Sequence, residues 1–237
     1  MRHMKFLVSF FAMLTLVLVI GCSDDDKGPT DNNGETQQPT FGIDSVTVPD
    51  AMEQSDDPMA QQAVAYVAMA NAFASYGYWF SHSGTSEGPP WTFTWTVDDL
   101  TITLTITEEG NNWVWEIVLD GTDGYYTYDN WLFIHAEQAK NNSSGQLIIY
   151  EPVTTNVAMT WTWSVDAEGV YTLVMISEGE DFKIEITVNP DHSGELELSE
   201  KVDESYQLAL REVWQADGSG EWWTYEDGEQ TGHGSWA

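Results

Sequence analysis

Six tryptophans carry the most chemistry in this sequence. Trp91, Trp95, Trp113, Trp115, Trp161 and Trp163 recur at even spacing within alternating stretches, which predicts that all six share one face of a sheet. Such rings either fill a core or line a ligand cavity in a small curved sheet. Trp95, Trp113, Trp115, Trp161 and Trp163 are therefore the candidate ligand-binding residues, for an apolar molecule or a glycan. Trp222 and Trp223 are adjacent, so one of them faces outward on a strand and can, with Tyr225, stack on a sugar or meet a partner. Catalytic signals are absent. Ser81-His82-Ser83 sets hydroxyls beside an imidazole but has no nucleophile-elbow context. His135 continues the alternation of Trp131 and Phe133 and is expected on the inner rim, while His192 and His233 are expected at the surface. Glu195 and Glu197 share a strand face as an acid/base pair would, but in a chain with 39 acids this is expected by coincidence. Asp120-Gly121-Thr122-Asp123-Gly124 with Asp129 offers oxygens for calcium at a spacing unlike the known loop motif, and a plain turn accounts for it better. No catalytic residue, metal site or cofactor is assigned, and the protein is expected not to be an enzyme.

The single cysteine sets the address. Arg2, His3 and Lys5 precede an apolar run from Phe6 to Ile20, too short for a membrane span, and Gly21-Cys22 follows. Val19-Ile20-Gly21-Cys22 resembles the lipobox of bacterial lipoproteins. That resemblance implies cleavage before Cys22, a diacylglycerol thioether on its sulfur and acylation of the new amino terminus. Ser23-Asp24-Asp25-Asp26-Lys27 resembles the acid-rich signal with which some Gram-negative phyla send lipoproteins to the outer face of the outer membrane; the other reading is a polar tether exposed on the periplasmic face. Residues 1–21 are thus expected to be signal, 22–45 a lipidated and disordered tether, and 46–237 one domain. With one cysteine, no internal disulfide forms.

Without the signal's Arg2 and Lys5, five Lys and Arg face 39 Asp and Glu, a net of −34. Such a chain repels phosphate backbones and anionic head groups, so nucleic acid is excluded and the lipid on Cys22 is the expected membrane attachment.

The elements that position the tryptophans are legible. Asp57 caps and Pro58 opens a helix predicted over 58–76, ended by Gly77. Met59, Ala63, Tyr66, Val67, Ala70, Phe73 and Ala74 form its stripe, and its other faces are also poor in charge, which predicts burial on more than one side. From Trp91 onward the period is two, as in Ile102, Leu104 and Ile106 between threonines. Turn chemistry at Asp98-Asp99, Gly110-Asn111, Asp217-Gly218 and Asp227-Gly228 predicts a meander of about eleven strands. Ala136 to Gly145 reads as a long loop. A faint repeat, Trp95-Thr96-Val97-Asp98 against Trp163-Ser164-Val165-Asp166, suggests a duplicated four-strand unit. The expected fold is α+β: one N-terminal helix packed against, or wrapped by, a strongly curved antiparallel meander, half-barrel or barrel-like, because one helix cannot cover so wide a sheet. That outline resembles the half-barrel-plus-helix of lipoprotein carriers and related envelope lipid-binding proteins. The function expected is that of a lipid-anchored envelope binding protein with an apolar ligand or glycan. The alternative is a non-enzymatic interaction subunit of a surface assembly with a protein partner, and less expected is a hydrolase with an unrecognised site.

Overall fold

A computed structural model describes residues 38–42, 45–72, 77–80 and 88–237. The signal, Cys22 and the acid-rich segment lie outside the described residues, as do the last four positions of the expected helix and Ser81-His82-Ser83.

Twelve antiparallel strands follow one another in chain order. They are β1 Trp91–Val97, β2 Leu100–Glu109, β3 Asn112–Thr122, β4 Thr127–Ala139, β5 Ser144–Tyr150 and β6 Val157–Val165. β7 Tyr171–Ser177, β8 Phe182–Val188, β9 Gly194–Val202, β10 Ser205–Trp214, β11 Gly220–Glu226 and β12 Glu229–Trp236 complete the sheet. It is not closed: β1 and β12 are its edges. The stretch expected to be a long loop is the end of β4, a tight turn and the start of β5. Two register shifts in the β3–β4 pairing, with Asn130 at φ +46°, break the alternation that would have revealed β4. Turns sit where expected: Asp227-Gly228, at φ +52° and +78°, is type-I′-like, and Asp98 opens the β1–β2 turn at φ +51°. The segments proposed as a four-strand repeat, on β1 and β6, lie five strands apart.

A different repeat organises one end of the sheet. Asn141-x-Ser143, Asp191-x-Ser193 and Asp217-x-Ser219 each close a hairpin in the same way: the side-chain oxygen of the first residue accepts from the serine N–H and the serine hydroxyl. A glycine follows each turn, Gly145, Gly194 and Gly220, and across the strand pair lies a tryptophan: Trp163, Trp214 and Trp236. A Cβ on Gly145 would fall 2.2 Å from the Trp163 ring, and on Gly220 2.1 Å from Trp236. The bare glycine backbone thus gives each indole a surface to lie on. Trp214 and Trp236 also donate Nε1–H to the carbonyls of His192 and Gly218 in the turns.

Among the described residues the helical segments are α1 Asp50–Glu53, α2 Pro58–Ala72, which covers the expected helix as far as it is described, and α3 Gly77–Phe80. Asp57 Oδ1 accepts from the N–H groups of Met59 (2.8 Å) and Ala60 (3.4 Å), the predicted cap. Gly77 opens α3 instead of serving only as a terminator. Ala60, Ala63, Val67 and Ala70 are buried, whereas Ala65 and Ala68 are exposed. Helix α2 therefore buries one stripe, not several sides, and small uncharged residues on its free side give no sequence signal of that.

Upstream, a strap packs on the sheet, starting inside the expected tether: Phe41, placed in the tether, is buried, as are Val46, Val48 and Met52 at the start of the expected domain. Gln138 Nε2 donates to Gly42 O (2.6 Å) and Gly42 N–H donates back (3.3 Å). Asn71 Nδ2 donates to Val46 O (2.7 Å), and Asn71 Oδ1 accepts from Val46 N–H (2.8 Å). Thr47 reaches His192, and Gly218 approaches Ala51 and Met52. The strap thus follows, in order, the three serine-closed hairpins.

Candidate functional site

The register sets all six expected tryptophans on one face. Trp91 opposes Ile106, which opposes Trp115; Trp115 connects through Ala136 and Leu147 to Trp161; and Trp113 connects through Gln138 and Gly145 to Trp163. Trp115, Trp161 and Trp163 are buried. Phe41 covers two of them, its ring centroid 5.1 Å from Trp115 and 5.6 Å from Trp163, with Phe80 at 4.6 Å. Trp113 is half-buried, packed on Trp91 (5.7 Å) and capped by the Lys140 ammonium (5.0 Å). Four of the five candidate ligand residues thus serve the packing of this face, and the fifth, Trp95, joins a different assembly.

That assembly is a chain of aromatic contacts at the end of the face where β1–β2 and β3–β4 turn. Trp95 contacts Trp79 of α3 (6.5 Å), and Trp79 meets Phe133 edge-on (6.0 Å). Phe133 packs on Trp131 (5.6 Å), Trp131 stacks on Tyr128 (5.2 Å, 22°), and Tyr128 contacts Tyr126 (6.3 Å). Trp95, Trp79, Phe133 and Trp131 are half-buried and Tyr128 is buried, whereas Tyr126 is 45% exposed and its neighbour Tyr125 is 82% exposed. An aromatic pair this exposed, continuous with a rigid aromatic base, is the kind of surface that marks recognition.

Asp123 builds the tip. Its Oδ1 accepts from Tyr125 N–H (2.8 Å) and Tyr126 N–H (2.7 Å), and Oδ2 accepts from Tyr128 Oη–H (2.7 Å). Burial works against its charge, but the hydrogen bonds from Tyr126, Tyr128 and Tyr125 outweigh it and hold the carboxyl below its ordinary value. Burial, then the Asp123 acceptor, pushes the Tyr128 phenol up. Gly121 at φ +108° lies against Asp99 O, where a Cβ would come within 2.1 Å, so the tip docks on the β1–β2 turn. Thr122 N–H donates to that same carbonyl (3.1 Å). Asp120 accepts from Asn130 N–H (3.4 Å) and Asp129 from Asn130 Nδ2 (3.3 Å). The carboxylates weighed for calcium therefore act as turn acceptors. Among the described residues, no three His, Cys, Asp or Glu converge to hold a metal ion.

A second assembly lies on the opposite face. Glu197, Arg211, Trp223 and His233 oppose one another across β9 to β12. Arg211 bonds Glu195 and approaches Glu197 (3.8 Å). Its guanidinium lies 5.0 Å over Trp223, whose other side stacks on His233 (5.1 Å, 12°), and His233 Nε2 bonds Glu221 (3.3 Å). The Glu195/Glu197 pair is a clamp on arginine. Trp223 does point away from the face that holds Trp222 and its glycine partner Gly234, but both of its ring faces are taken. An open groove of about 400 Å³ runs beside it, lined by Val213, Gln215, Ser219, Glu221 and Ser235. His135, expected on the inner rim, instead lies between Glu116 (3.3 Å) and Glu137 (3.1 Å), because the β4 bulge reverses the alternation.

No family model matches the sequence, and comparison with curated proteins gives no match. Among the described residues, no helix is long and apolar enough to cross a membrane. The functional reading therefore rests on geometry. Sequence reasoning missed Tyr125, Tyr126, Tyr128 and Trp131 because the Asn130 bulge hides their common contact chain; the run Asp123-Gly124-Tyr125-Tyr126 was the one available signal.

Proposed function

We propose that this chain is a lipid-anchored binding protein of the cell envelope, tethered through Cys22 to the outer membrane and displayed at the cell surface, and that its aromatic tip holds a neutral glycan. The observation that carries the reading is the pairing of exposed Tyr125 and Tyr126, held by Asp123, with the aromatic chain beneath them, in a turn that also exposes the Asp120 and Asp129 carboxylates. Sugar rings offer C–H faces to aromatics and hydroxyl donors to carboxylates, and Asp120 and Asp129, each with one hydrogen bond from Asn130, keep further acceptor capacity for such hydroxyls that a purely apolar ligand would not use. A net charge of −32 over the whole chain disfavours anionic glycans. The tightly packed Trp115, Trp161 and Trp163 argue against an interior ligand. Twelve strands at about 4.8 Å spacing are far wider than one helix, which favours a sheet curled about α2.

The test is binding of the purified full-length protein to immobilised neutral and acidic oligosaccharides. Neutral glycans should bind, and Tyr125→Ala with Tyr126→Ala should weaken binding at least tenfold. Failure to bind any neutral glycan, or undiminished binding by the double variant, would sink the reading. Binding of a protein from the same surface that depends on the two tyrosines would favour the interaction-subunit alternative. For the anchor, Cys22→Ser should abolish fatty-acid labelling and release the protein from the membrane fraction, and protease should reach the wild type on intact cells.

A further inference from the structure

The least expected side chain in the fold is Glu212. It lies in the middle of β10, opposite Leu196 of β9 and Trp222 of β11, on the face that receives α2. It is 0% exposed, and neither carboxyl oxygen has a hydrogen-bond partner. Acids in such a position are rare unless paired. Among the described residues no Lys or Arg pairs with it: Lys140, Lys183, Lys201 and Arg211 are each bound to another carboxylate. The titratable groups around it are Asp57 at the start of α2, Tyr66 on α2 and, beyond Tyr66, Glu200 of β9, none of which supplies positive charge.

We infer that Glu212 is a proton-operated latch, seating α2 on the sheet while its carboxyl is protonated and loosening α2 when the proton leaves. Burial, with a smaller contribution from Asp57, pushes the Glu212 carboxyl up to about 8 from an ordinary 4.5. An ionised carboxylate here has no partner in the closed seam, so its cheapest relief is water, and water enters only if α2 lifts. The direction follows from proton counting. Between about pH 4.5 and 8 the closed state keeps a proton that the opened state has lost, so opening becomes tenfold easier with each pH unit. Above about 8 both states are ionised and the dependence levels off. The latch is therefore tightest in mild acid. Opening would expose Ala63, Val67 and Leu196, an apolar strip.

Hydrogen exchange of the full-length protein, followed by mass spectrometry and corrected for the intrinsic pH dependence of amide exchange, tests this. Protection of the α2 amides should fall about tenfold per unit from pH 5 to 8, then flatten, while β2 and β3 amides stay protected. Glu212→Gln, nearly isosteric and uncharged, should abolish the slope in α2. Tyr66→Phe should leave it intact, which separates Glu212 from the phenol. Equal slopes in wild type and Glu212→Gln would overturn the latch, as would loss of protection in α2 and the central strands together. If Glu212→Gln does not fold, a carbon-13 carboxyl titration of wild-type Glu212 decides: a midpoint near 8 upholds the latch and one near 4.5 removes it.

Discussion

Phe41→Ala probes whether the tryptophan face is filled core. Phe41 is 5% exposed and touches Phe80, Trp115 and Trp163. Truncating a buried phenylalanine costs about 3–5 kcal/mol when the surroundings cannot collapse. The strap could escape that cost by peeling away, so its other attachments decide the outcome. Four hydrogen bonds to Gln138 and Asn71 contribute about 1 kcal/mol each, and burial of Val46 and Val48 about 1.5–3 kcal/mol each. Together these exceed the cavity cost, so the strap stays and the cavity persists. Urea denaturation should therefore show a loss of about 3–5 kcal/mol with an unchanged slope. A small apolar solute such as benzene should restore part of it by entering the dry cavity. A loss below about 1 kcal/mol would refute the reasoning. Phe41 would then not be core, and Trp115 and Trp163 would be the walls of an open site.

Other substitutions test the helix and the glycine–tryptophan pairs. Val67→Asp places an unpaired carboxylate at a buried α2 position and should unfold the domain or cost more than about 4 kcal/mol, whereas Ala65→Glu on the exposed side should change the denaturation midpoint little. Gly234→Ala would set a Cβ 2.7 Å from Trp222 and should cost about 1–3 kcal/mol in the wild type. In a Trp222→Ala background the same change should be neutral or favourable, and a double-mutant cycle without coupling would remove the pairing from the account.

The sequence disclosed the strands that keep strict alternation, because period two is a direct consequence of burying one face. Ile102, Leu104 and Ile106 between threonines left no alternative, and Asp227-Gly228 could hardly be anything but a turn. β4 was hidden for a physical reason: its bulges place two residues against one, so Trp131, Phe133 and His135 no longer share a face. The strap was hidden by composition, since its buried residues, Phe41, Val46, Val48, Pro49 and Met52, are dispersed among polar ones and are ordered by side-chain amides from distant elements. Glu212 was illegible because one acid among 39 looks like solvated surface. Of the proposed site, Trp95 was identified in advance as a candidate ligand residue, and Asp120, Asp123 and Asp129 only as oxygens weighed for calcium. A tyrosine pair gains meaning as a tip only when a carboxylate two residues earlier is seen to hold both amides.

Stability and recognition are separable in this architecture, because the strap follows the hairpins at one end of the strands and the aromatic tip lies at the other. Asp123→Asn tests that separation. The substitution keeps one carbonyl oxygen for the Tyr125 and Tyr126 amides but removes the charge that receives the Tyr128 hydroxyl. Charged acceptors make the stronger hydrogen bonds, so the tip should lose its fixed geometry. The tip is exposed and makes no contribution to the Phe41 cluster, so the unfolding free energy from urea denaturation should change by no more than about 1 kcal/mol. Affinity should fall about as far as in the tyrosine variants. The same charge gives the wild type a pH signature: a carboxyl held below 3.8 in the folded tip stabilises it at and above that pH, and the benefit disappears as pH falls through the lowered value. Wild-type binding should therefore persist at pH 5 and decline only as pH falls through that lowered value, whereas Asp123→Asn should bind weakly throughout. Phe41→Ala gives the opposite pattern, a less stable protein that binds normally while folded. Loss of binding in Phe41→Ala at full occupancy of the folded state would mean that the tryptophan face, and not the tip, holds the ligand.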